Sequence, residues 1–165
     1  MQANDFKKLI QEDFDEAIEI AIKMDNVELI EMLNKSVDLD NSVSMLFFVE
    51  ELIEKKETAE LHAAAMGIVT FSLSEESGAY QVGLRHIRKA IALEPNNLHY
   101  KEDLLYFYEL PEMLVSLNEA TAVAREVIQG NPNNKTAGAL IKYADSGEKG
   151  DTETNGKKSK FFGLF

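Results

Sequence analysis

The chain contains no cysteine. Disulfides, zinc–thiolate sites, iron–sulfur clusters and cysteine nucleophiles are therefore all excluded. Proline is scarce: Pro95, Pro111 and Pro132 are the only three, so long stretches run without a helix breaker. No run of about 18 apolar residues occurs, and no membrane-spanning helix is expected. The stretch from Met1 to Lys8 lacks the apolar segment of a signal peptide. With no membrane or export signal, the cytoplasm is the expected compartment.

Catalytic patterns are missing too. His62, His86 and His99 are the only histidines, and no two of them sit at the H-x-x-x-H spacing of a helical zinc site. No serine lies in G-x-S-x-G. Between Gly150 and Gly156 there are five residues rather than the four of a phosphate loop, and Lys158 stands where a hydroxyl is needed. Asp40, Ser42, Ser44 and Glu51 have calcium-loop spacing, but Met45 occupies the position that requires glycine. The expectation is a chain without catalytic residues, metal or cofactor, and so not an enzyme.

What is present is helical. Of 165 residues, 45% are hydrophobic and 28% charged, enough apolar residues to bury a core. Apolar residues recur with helical spacing almost throughout. Phe14, Ile18, Ala21 and Ile22 make one stripe, and Val27, Ile30, Leu33 and Val37 a second. Asp25-Asn26 between them is a break and a cap. Asp38 to Asn41 is a turn with good N-cap residues. Val43, Leu46, Phe47, Val49, Leu52 and Ile53 follow as a third helix. From about Thr58 to Leu73 the chain is apolar all round, as a helix covered on several sides would be. Four more helices are expected at about 79–93, 98–109, 117–129 and 135–143. Tyr80, Leu84, Ile87 and Ile91 form the buried stripe of the first of these, and Arg85, Arg88 and Lys89 a basic strip.

Charge is unevenly placed. The net charge is −12, and residues 1–60 hold 16 acids against 6 bases. A phosphate backbone would be repelled there, so nucleic acid is not expected as a partner, whereas a basic protein would be attracted. A merely solubilising surface is the alternative.

Two segments look alike. Ala90 to Asn97 ends Leu-Glu-Pro-Asn-Asn, and Val127 to Asn134 ends Gly-Asn-Pro-Asn-Asn, with the prolines 37 residues apart. Over about residues 61–134 the chain resembles the tetratricopeptide repeat, a helix–turn–helix unit of about 34 residues that closes on a proline turn. Gly83, Ala90 and Ala120 fall at its small-residue positions, while Phe71, Ser74 and Val127 depart from the pattern. The resemblance implies an all-α fold of stacked antiparallel helical hairpins, about seven to eight helices in an α-solenoid. Residues 1–56 would be an acidic helical segment, 57–144 the hairpins and 145–165 a flexible tail. It also implies a concave groove offering Ile68, Ser72, His99, Glu102, Asp103 and Tyr106 to a helix or basic segment, unless the chain's own helices fill it. Those positions lack the Lys, Arg and Asn with which the family grips a peptide carboxylate.

The tail has its own character. Asp145 to Gly156 has no apolar residue, and such a segment cannot offset the entropy of ordering. Beyond it, Lys157, Lys158 and Lys160 precede Phe161, Phe162, Leu164 and Phe165. Weak peripheral contact with an anionic membrane, docking in a partner's pocket and folding back on the hairpins are three readings of this tip. The functional expectation is a protein-interaction module or scaffold, with an acidic inhibitor or immunity-type protein, neutralising a basic enzyme or toxin, as the alternative.

Overall fold

The computed structural model describes residues 1–37 and 42–146. Among them the chain is all-helical, with no strand. The α-helices are α1 (Ala3–Glu12), α2 (Phe14–Ala21), α3 (Asn26–Ser36), α4 (Ser42–Lys55), α5 (Ala59–Gly67), α6 (Ala79–Leu93), α7 (Leu98–Glu109), α8 (Leu117–Gly130) and α9 (Lys135–Asp145). A π-helical stretch, Ile68–Ser72, continues α5. Two compact units divide between Pro95 and Asn96, so residues 56 and 57 both lie inside the first. The expected turn at 38–41 and the tip Lys157, Lys158, Lys160, Phe161, Phe162, Leu164 and Phe165 lie outside the described residues.

Side chains punctuate the helices much as the sequence suggests. Asp25 accepts a hydrogen bond from the Glu28 amide at 3.0 Å and starts α3. Thr58 does the same for α5 through Leu61, and Ser116 for α8 through Glu119. Each satisfies an amide that the first helical turn leaves without a partner. Asn97 and Asn134, the last residues of the two proline turns, cap α7 and α9 in the same way. Gly78, at φ 88°, precedes α6 in the left-handed region that suits glycine.

One helix was not anticipated. α1 shows only Phe6 and Ile10 as buried large residues, a single i, i+4 pair, which is a short signal. It is separated from α2 by Asp13 alone, whose backbone leaves the helical region while its carboxylate caps α2 at the Glu16 amide.

In the first unit α1 packs on α2, α3 and α4, while α5 packs on α3, α4 and α6. The core joins Phe6 and Ile10 to Ala17, Ile18, Leu29, Leu33, Met45, Phe48, Val49, Leu52, Leu61, Ala65 and Ile68. Two expected stripes are rotated by about one residue over part of their length, although Leu33 of α3 and Val49, Leu52 and Ile53 of α4 are buried as expected. α3 buries Leu29, Met32, Leu33 and Ser36, leaving Val27 72% exposed. α4 buries Met45 and Phe48 and leaves Val43 and Phe47 outside. Both helices hold more apolar residues than one face can take, so neighbours rather than hydrophobicity choose the face. After Gly67 the β-branched run Ile68-Val69-Thr70 crowds a tight helical turn. There the hydrogen bond widens to Leu73 N–H donating to the Ile68 carbonyl at 3.1 Å, and Phe71 swings outward.

In the second unit α7 packs on α8 and α8 on α9. Its core includes Leu104, Leu105, Phe107, Val115, Ala120, Ala124, Val127 and Leu140. The Thr121 hydroxyl is buried there with no hydrogen-bond partner. A buried hydroxyl without a partner costs stability. Thr121→Val should therefore stabilise the second unit by about 1 kcal/mol, read as a higher urea midpoint at unchanged slope.

Candidate functional site

The first unit holds a polar chain inside an otherwise apolar layer. His62 enters from α5 and His86 from α6, only 5% and 3% exposed. Their Nδ1 atoms face each other at 3.0 Å. His62 Nε2 lies 3.0 Å from Glu57 Oε1, and His86 Nε2 lies 3.0 Å from Glu50 Oε1. The result is a line, Glu57–His62–His86–Glu50, that joins α4, α5 and α6. Its ends reach water, since the Glu57 and Glu50 side chains are 46% and 40% exposed. Lys89 of α6 stands 3.9 Å from Glu57.

Charges and burial act on these groups differently. The hydrogen bond from His62 holds the Glu57 carboxyl below the ordinary carboxylate range, against some desolvation, with Lys89 and the His62 charge helping. Burial pushes His86 down, Glu50 opposes this, and His62 and Arg85 push it down further.

A carboxylate holding Nε2–H leaves Nδ1 free, which is how many metal-binding histidines are oriented. The geometry here suits a proton instead. The ring centroids are 5.3 Å apart, close to two ring radii plus the 3.0 Å gap. The two nitrogens therefore point almost straight at each other. A metal ion on that line, at about 2.1 Å from each nitrogen, needs them about 4 Å apart. Among the described residues no group of three or more His, Asp or Glu could hold a metal ion.

A second polar cluster lies in the second unit. Glu102 of α7 accepts from Asn134 Nδ2 at 2.9 Å and from Asn131 Nδ2 at 3.4 Å. It thus ties the proline turn between α8 and α9 back to α7. His99 Nδ1 is 3.8 Å from the other Glu102 oxygen, with its ring 90% exposed. Burial raises the Asp103 carboxyl above the ordinary range; His99 opposes this and Glu102 adds to it.

The six groove positions thus fare unequally. His99, Glu102 and Asp103 cluster on α7, and Tyr106 is half-buried further along that helix. Glu102 spends its carboxylate on the chain's own asparagines. Ser72 is half-buried in the first unit, and Ile68, at the start of the π-helical stretch, is in the core at 5% exposure. Ile68 therefore offers no surface to a groove. The buried histidine pair escaped sequence reasoning because its members come from two helices, 24 residues apart, whereas motif spacing looks along one. The usable signal was that each histidine sits among buried positions: His62 beside Leu61, and His86 between Leu84 and Ile87.

No known family model matches the chain, and no curated protein matches it.

Proposed function

We propose that the chain is a non-catalytic protein-binding module of tetratricopeptide-like helical hairpins, and that it grips its partner on the outer face of α4. The observation that carries this reading is Val43 and Phe47, one helical turn apart and 51% and 64% exposed. An aromatic side chain left in water beside a well-filled core is the type of anchor on which interfaces centre. Glu51 and Glu54 continue α4 beyond it, within the region where acids outnumber bases 16 to 6. A matching partner surface has an apolar pocket rimmed by Lys and Arg, and approaches faster at low salt. Nucleic acid does not fit this charge. The groove reading has less support, with Ile68 in the core and Glu102 engaged.

The acid surplus favours a second reading, an inhibitor or immunity-type protein that neutralises a basic enzyme or toxin. The two differ in whether the captured partner loses activity. In either case the chain acts in the cytoplasm, and the tip Lys157–Phe165 adds weak contact with a partner or with the inner face of a membrane.

Affinity purification tests the interface. A Val43→Lys, Phe47→Lys double variant should recover at least tenfold less of the wild-type partner, since two lost apolar anchors cost at least about 1.4 kcal/mol. A His99→Lys variant, on the groove side, should recover it normally. Equal recovery by wild type and the α4 variant would contradict the proposal.

A further inference from the structure

The line Glu57–His62–His86–Glu50 has three gaps of 3.0 Å each, and each gap needs one proton to be a hydrogen bond. An ionised carboxylate brings none, because it only accepts. Two neutral imidazoles bring two. If those two fill the outer gaps, as Nε2–H donated to each carboxylate, the two Nδ1 lone pairs are left facing each other. Turning one ring's proton inward closes the middle gap but sets a bare Nε2 against a carboxylate. Only a third proton completes all three bonds, and it makes the histidine pair singly positive between two negative carboxylates. A fourth proton would place Nδ1–H against Nδ1–H, two like charges in a site only 3–5% exposed.

We propose that this line is an acid-sensitive clasp: it fastens α4, α5 and α6 around a single proton held between the two imidazoles, and a further proton unfastens it.

Of the charges facing the rings, α4 contributes Glu50, the α4–α5 link contributes Glu57, and α6 contributes Arg85 and Lys89. α3 also packs on α5, but its Glu31 and Lys35 pair with each other on an exposed side. The π-helical stretch has no ionisable residue. Arg85 adds to the resistance of His86 to a further proton, and Glu50 opposes it.

The sign follows from burial. His86 in the folded chain lies below its ordinary value of 6.5, so the unfolded chain takes up this proton first as pH falls. The stability tied to that further proton is kept above the ordinary value and lost as pH falls from there through the folded value, whereas the stability tied to the shared proton is lost once pH rises far enough to remove it. Because one proton is shared across the 3.0 Å gap between the two Nδ1 atoms, unfolding at acidic pH takes up one proton for the pair rather than one per ring.

The test is the urea unfolding constant of the full chain at about pH 6.5 and about pH 5.5, a window in which histidine rather than carboxylate titration dominates. For wild type the constant should rise toward about tenfold per pH unit below 6.5, the slope of one proton taken up on unfolding. A His62→Leu, His86→Phe double variant should show little pH dependence, and His99→Asn should keep the wild-type slope. A flat wild-type response, or a double variant that keeps the slope, would overturn the clasp. Nitrogen-detected NMR of the unaltered histidines decides the matter even if the double variant does not fold. At mildly acidic pH both Nε2 atoms should be protonated and the two Nδ1 atoms should share one proton. A separate proton on each Nδ1, or an unprotonated Nε2, would refute the proposal.

Discussion

Replacing Phe48 with alanine is expected to destabilise the first unit by about 3–5 kcal/mol. Phe48 is 0% exposed. Its ring takes the Phe6 ring of α1 edge-on at 5.5 Å and the Phe14 ring of α2 at 5.6 Å. Truncation removes the transfer energy of a whole ring, two aromatic contacts that are each worth about 0.5–1.5 kcal/mol, and leaves a cavity between three helices. The next residue makes the control. Phe47 is 64% exposed, so Phe47→Ala should stay within about 0.5 kcal/mol of wild type. Urea denaturation followed by a probe in the first unit measures both. Similar costs at 47 and 48 would mean that α4 presents a different face to the core.

The second large effect is expected at Asn134. Its Oδ1 accepts from the Ala137 amide at 2.9 Å and its Nδ2 donates to Glu102 at 2.9 Å. Asn134→Ala removes the cap of α9, worth about 1 kcal/mol, and a bond to a charged acceptor, worth about 1.5–3 kcal/mol. Asparagine and aspartate are ordinarily equal caps. Here Asn134→Asp keeps the cap but replaces the amide donor with a second carboxylate beside Glu102. It should cost at least as much as alanine, and part of that cost should disappear in Asn134→Asp, Glu102→Gln. Thermal or urea melts of the four chains read this directly. An aspartate variant as stable as wild type would remove Glu102 from the account of the proline turn.

These two residues mark what the sequence could and could not tell. The proline turns were legible because proline and asparagine act locally: the chain breaks at Pro95 and Pro132 and restarts on Asn97 and Asn134 wherever its neighbours are. The cap at Asp25 is legible for the same reason, and Thr58 and Ser116 act through the same local chemistry. The face of α3 and the first half of α4 were legible only in part, since both carry surplus apolar residues and only packing chooses among them; Leu33, Val49, Leu52 and Ile53 are buried as expected. Phe47 and Phe48 are equally hydrophobic, yet one is exposed and the other forms the centre of the core. The histidine pair was hidden for a related reason: it exists only once α5 and α6 lie side by side. The proposed groove positions came from a resemblance rather than from local chemistry. Of those, Glu102 proves to be tied to Asn131 and Asn134, and Ile68 proves to be buried.

The central claim is that a protein partner sits on α4. A photo-crosslinking phenylalanine analogue placed at position 47, and in a separate chain at position 106, tests it most directly. The account predicts a crosslinked protein from position 47, lost when salt is raised, and little from position 106. Crosslinking from position 106 alone, or from neither position, would contradict it.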